Sequence, residues 1–144
     1  MTIMDEMTGG KSRALLLAGP SKHFEELEGV LNRLGVKMVR VFRLAEAERF
    51  LARANTPWLI FTDTVLPDGD WTKALDLAAR APNTARVVVV SRFADDGLYL
   101  DTLERGVEDF IVAPFAPDDV THVLRGAMLH ESIRPRPQQH AAVA

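Results

Sequence analysis

The chain has 144 residues, 47% hydrophobic and 26% charged, the size and make-up of one ordinary globular domain with a core of its own. It contains no cysteine, which excludes disulfides, thiolate metal sites and a cysteine nucleophile. A net charge of -3 with basic residues scattered along the chain argues against a nucleic-acid partner, and no apolar run approaches a membrane span or signal peptide, which predicts a cytoplasmic protein with no membrane partner.

Residues 1–12 are polar with Gly9 and Gly10 and read as a flexible lead-in. The run A-L-L-L-A within Arg13 to Ala18 predicts a strand buried on both faces, ended by Gly19, Pro20 and Ser21. Ser21 is placed to cap a helix whose apolar positions are Phe24, Leu27, Leu31 and Leu34, with Gly35 as its stop. Val36 to Phe42 reads as a second strand, and Leu44 to Ala54 as a helix turning Leu44, Ala47 and Leu51 inward.

A third strand, W-L-I-F from Trp58 to Phe61, runs into Pro67, Asp68 and Gly69, which are strong turn residues, so Asp63 falls where the strand stops. Asp70 can cap the helix that follows to about Arg80. Ala85 to Val90 holds V-V-V-V, the clearest β-branched segment, and ends at Ser91 and Arg92. Asp95 to Arg105 is a weaker helical pattern closed by Gly106, Glu108 to Val112 is a fifth strand, and Pro117 to Leu129 is a final helix opened by Pro117, Asp118 and Asp119. Residues 130–144, with Arg134, Pro135, Arg136, Pro137 and an Ala-rich end, read as a disordered tail. His23, His122, His130 and His140 lack metal-ligand spacing and read as surface histidines.

Five strand–helix units in strict alternation predict an α/β fold, a parallel sheet with helices on both faces and right-handed crossovers. In such sheets ligands bind beyond the carboxyl ends of the strands, where Asp63 lies. Taken alone, that stretch is better explained by a solvated turn acid. Its company changes the reading: Asp63 in F-T-D-T-V-L-P-D-G-D, Ser91 at the end of the fourth strand, and G-V-E-D-F-I-V-A-P-F around the fifth together resemble the receiver domain of bacterial response regulators.

The resemblance covers residues 13–129 and implies a flavodoxin-like, CheY-like doubly wound five-stranded sheet in the order 2-1-3-4-5 with five helices. It implies that Asp63 is the phosphoacceptor, attacking the phosphorus of a histidine kinase's phosphohistidine to give an acyl phosphate. It implies that Ser91 hydrogen-bonds the phosphoryl oxygens, and that Phe110 follows it as a switch residue, although core packing explains Phe110 equally well. By the same resemblance Pro114 follows a cis peptide bond, the alternative being a trans turn proline.

Three matching positions depart from the pattern. The family holds Mg²⁺ with an acidic pair at the end of the first strand, where this chain has Ala18 and Gly19, and the family's lysine before the fifth-strand proline is Ala113 here. Phosphoryl transfer depends on positioning and charge neutralisation, so these losses predict slow or absent phosphorylation, with no metal site and no cofactor expected. Arg92 is the candidate substitute cation, folding over the pocket to pair with Asp63 or else pointing into solvent.

The favoured expectation is a non-enzymatic, single-domain phosphorelay module. It would act by protein–protein interaction, with a sensor histidine kinase or downstream protein as partner, or as a homodimer through the fourth helix, fifth strand and fifth helix. A working phosphoacceptor is the alternative. A flavodoxin-like enzyme or cofactor binder is a distant third: Val65 stands where an aspartate-nucleophile phosphatase has its second acid, and A-G-P-S-K-H is a poor phosphate loop.

Overall fold

Strands and helices follow one another as β1 (Ala14–Leu17), α1 (Lys22–Arg33), β2 (Met38–Val41), α2 (Leu44–Leu51), β3 (Leu59–Asp63), β4 (Val65–Leu66), β5 (Gly69–Asp70), α3 (Trp71–Arg80), β6 (Arg86–Ser91), α4 (Asp96–Glu104), β7 (Asp109–Val112) and α5 (Pro117–Ile133). The computed structural model describes residues 13–52, 59–81 and 85–133. Five of the strands form one parallel sheet in the order β2-β1-β3-β6-β7. This is the doubly wound fold anticipated above, with β6 and β7 as the expected fourth and fifth strands.

Alternation along each strand divides the core in two. Leu16 of β1, Phe61 of β3 and Val88 and Val90 of β6 face α1 and α5, whose Phe24, Leu27, Leu31, Val120 and Leu124 close that side. Leu15, Leu17, Ile60, Val87 and Val89 face α2 and α3, through Ala47, Leu51, Trp71, Ala74 and Ala78. Helices α1, α3 and α4 begin on a short polar side chain that takes up an orphan N–H: Ser21 accepts from Phe24 N at 3.4 Å, Asp70 from Thr72 N at 3.0 Å and Asp95 from Leu98 N at 3.0 Å. The N-cap of α2, Arg43, has no side-chain cap; Asp68 supplies one from across the fold, accepting from Leu44 N at 2.8 Å and Ala45 N at 3.1 Å.

Some boundaries differ from the sequence reading. The second strand starts at Met38 rather than Val36, because Val36 donates its N–H to Leu31 O and so belongs to the end of α1. The two-residue strands β4 and β5 pair as a hairpin around Pro67 and Asp68, where only a turn was expected; such short strands leave no periodic signal. Helix α5 continues four residues past Leu129 to Ile133, because nothing before Pro135 breaks it. The expected lead-in 1–12, Trp58 and the tail from residue 134 lie outside the described residues.

Helix α4 stands apart from the others. Its one buried residue is Thr102, and it leaves Tyr99, Leu100 and Leu103 exposed.

Candidate functional site

The carboxyl ends of β1, β3 and β6 meet where the strand order changes direction. Leu17 pairs in register with Thr62 and Asp63 with Val90, so Ala18, Asp63 and Ser91 line one edge of the sheet. The Asp63 side chain is 18% exposed. One of its oxygens, Oδ1, accepts from Thr64 N at 2.8 Å, while Oδ2 carries no hydrogen bond among the described residues.

His23 is the group that approaches Asp63. Its Nε2 lies 3.4 Å from Asp63 Oδ1, within ion-pair distance but not aligned as a hydrogen bond, and neither ring nitrogen has a hydrogen-bond partner among the described residues. The expectation of a surface histidine is corrected here, since the residue is 4% exposed. It is the second residue of α1, which starts five residues after β1 ends, and its ring turns inward to pack edge-on against Phe24, centroids 5.1 Å apart.

The end of β1 is occupied by a cation. Arg40, reaching from β2, donates from Nη2 to Gly19 O at 2.9 Å and Ala18 O at 3.4 Å, and from Nη1 to Glu28. Its guanidinium also lies 5.6 Å from the Phe24 ring centroid and 5.2 Å from that of Phe42.

On the far side of Asp63, Ser91 is buried, and its hydroxyl donates to Phe93 O at 2.8 Å and accepts from Phe93 N at 3.1 Å. Of the two readings of Arg92, the exposed one holds and no pairing with Asp63 is formed: its guanidinium lies 5.6 Å from the Phe93 ring centroid. Phe110 is half-buried and packs edge-on against Tyr99, with centroids 5.7 Å apart. Ala113 donates its N–H to Ser91 O at 2.9 Å, and the Ala113–Pro114 peptide bond is cis.

Sequence reasoning missed His23 and Arg40. Both carry a signal in hindsight: a titratable residue in the first turn of the helix after β1, and a charge in the middle of the apolar strand M-V-R-V. The loop after Asp63 is firmly tied. The Leu44 N–H, chief among several contacts, holds the Asp68 carboxyl below its ordinary pKa, and the Thr72 hydroxyl does the same for Asp70.

The residues present do not fit Mg²⁺. That ion takes oxygen ligands in near-octahedral geometry, whereas the two carbonyl oxygens at the end of β1 already accept from a guanidinium and an imidazole stands beside the acid. Among the described residues, no three His, Cys, Asp or Glu side chains gather closely enough to hold a metal ion.

No family model matches this sequence. Among characterised proteins, the chain is 30% identical over 89 residues to chemotaxis protein CheY of Listeria monocytogenes, an overlap of 58% of this chain and 75% of that one. It is 28% identical over 72 residues to chemotaxis protein CheY of Bacillus subtilis, covering 50% of this chain and 60% of the relative. Its fold is similar to the receiver domain of a sensor histidine kinase from Pseudomonas aeruginosa, solved with a magnesium ion coordinated in the active-site cleft (TM-score 0.67, 21% identity, 81% of this chain and 98% of that one). It is also similar to a two-component response regulator from Clostridium difficile (TM-score 0.65, 22% identity, 85% and 98%).

Proposed function

This chain belongs to the CheY-like family of response-regulator receiver domains, and from that premise we propose that it is an atypical receiver in two-component signalling. It works in the cytoplasm as a signalling module rather than an enzyme, through contact with another protein, and Mg²⁺-dependent phosphorylation of Asp63 is slow or absent. The observation that carries this reading is the corner at the end of β1, where the Arg40 guanidinium binds the Ala18 and Gly19 carbonyls and no acid is present to take a metal. Losing one preorganised electrostatic contact commonly costs about 10²- to 10³-fold in rate, and here both the acidic pair and the lysine are replaced, although such effects within one site do not simply add.

A contact surface for the partner is available on α4. Tyr99, Leu100 and Leu103 are 42%, 56% and 44% exposed, beside Phe93 at 68%, and the helix lies against β7. Apolar side chains gathered in this way favour docking of a kinase, a downstream protein or a second copy through the α4, β7 and α5 face.

A working phosphoacceptor, modified at Asp63 by a histidine kinase, is the second reading. It is favoured by the buried Ser91 hydroxyl one strand away from Asp63. Intact-mass spectrometry after incubation with phosphoramidate and Mg²⁺, with Asp63→Ala as control, separates the two. We expect an adduct on only a minor fraction of the protein after an hour; rapid and near-complete modification that needs Mg²⁺ and vanishes in the control establishes the second reading instead.

A further inference from the structure

We propose that His23 is a positioning residue for Asp63, doing from the protein what a divalent ion would do, so that phosphoryl acceptance at Asp63 proceeds without metal. The inference rests on Asp63 being the phosphoacceptor. Three observations carry it. His23 is 4% exposed with both ring nitrogens unpartnered among the described residues, and a buried imidazole in that condition is under strong pressure to find a partner. The carboxylate of Asp63 stands 3.4 Å from its Nε2, close enough for an N–H there to be directed at Oδ1.

The third observation is that both contacts fall on the same oxygen. Thr64 N and His23 Nε2 converge on Oδ1, and Oδ2 is left without a hydrogen bond among the described residues. The carboxylate is therefore divided into a held oxygen and a free one. Oδ2 is the nucleophile: its lone pair forms the new P–O bond as the P–N bond of a phosphoramidate breaks, and the already protonated nitrogen leaves with the bonding pair as ammonia. His23 holds the other oxygen throughout and, as an N–H donor that is itself buried, stabilises the carboxylate in the orientation that presents Oδ2. The Arg40 guanidinium occupies the Ala18 and Gly19 carbonyls beside it and is itself paired with Glu28.

The test is acyl-phosphate formation followed by intact mass, with phosphoramidate as donor, in Mg²⁺ and in EDTA. Wild type is compared with His23→Gln, whose amide keeps a donor near the Nε2 position, and His23→Leu, which fills the space without one. Thermal melting reports whether each variant is folded. We expect the wild-type rate to change less than twofold between Mg²⁺ and EDTA, His23→Gln to stay within about threefold of wild type, and His23→Leu to fall on the order of 10²-fold. A merely structural histidine would make Gln and Leu equally harmful or equally harmless, and either pattern overturns the proposal. Adduct formation that stops in EDTA overturns it too, whether or not His23→Leu folds. Wild type that takes no phosphate under either condition also overturns it, while leaving the interaction-module reading intact.

Discussion

The two flanks of Asp63 are built from different material. On the β6–β7 flank the parts are set by the strands themselves: the Ser91 hydroxyl is held by the backbone of Phe93, and Ala113 is tied by its N–H to the Ser91 carbonyl. On the β1 flank the backbone ends in Ala18 and Gly19, and the polar groups arrive on side chains from elsewhere, Arg40 from β2 and His23 from α1. A group fixed by register comes with the sheet. A charge carried on one side chain can be exchanged without altering the fold, so the frame and the electrostatics of such a site can vary separately.

The sharpest way to break the comparison is to return an acid to the β1 flank. A Cβ at Gly19 would meet only Pro67, at 3.8 and 3.9 Å, so there is room for a side chain. Gly19→Asp combined with Arg40→Ala frees the carbonyls and restores an oxygen ligand beside Asp63. We expect Mg²⁺-dependent phosphorylation to rise on the order of 10²-fold by intact mass. An unchanged rate would show that the difference between the flanks does not lie in the lost acid.

Arg40→Ala by itself weighs the replacement charge. It removes hydrogen bonds from a largely buried guanidinium to two carbonyls and to Glu28, and stability measured by chemical denaturation should fall by about 2 kcal/mol. Ser91→Ala on the opposite flank removes a neutral hydroxyl and should cost about 1 kcal/mol, so equal losses would contradict the contrast.

An effect of similar size belongs to the loop that follows Asp63. Asp68→Ala strips α2 of its cap and should cost about 1 kcal/mol at neutral pH. Because the folded-state pKa of Asp68 is lowered, chiefly by the Leu44 N–H, its contribution is fully present above the ordinary carboxyl pKa of about 3.9. It is lost as pH falls through the lower folded value. The stabilities of wild type and variant should therefore converge in acid, and a gap that stays constant from neutral pH down to strong acid would remove Asp68 from the cap.

Most of the frame was legible because local rules and global packing agree there. The run V-V-V-V became β6 with alternate residues facing opposite cores, and Ser21 and Asp70 capped the helices they precede. The end of the third strand is equally local, and Asp63 closes β3. His23 was not legible, because it lies forty positions from Asp63 and its burial is decided by how α1 leaves the sheet, which no local pattern records. Between the two readings of Arg92 the sequence could not choose, for the converse reason. Proximity to Ser91 in sequence placed it near the pocket, but the turn from Ser91 to Phe93 carries its side chain onto the Phe93 ring instead.

Helix α4 has a thermodynamic consequence of its own. A helix anchored by one buried residue, Thr102, whose hydroxyl serves the helix's own Tyr99 carbonyl at 2.7 Å, has little apolar contact to lose when it opens. Its amides should exchange with solvent through local opening, well before those of β3 or β6, at a free energy below that of global unfolding. A partner that covers Tyr99, Leu100 and Leu103 would supply the burial the helix lacks, so that binding stiffens the element it grips and part of its enthalpy offsets ordering entropy. Such a contact would change how often α4 is formed as much as where it sits.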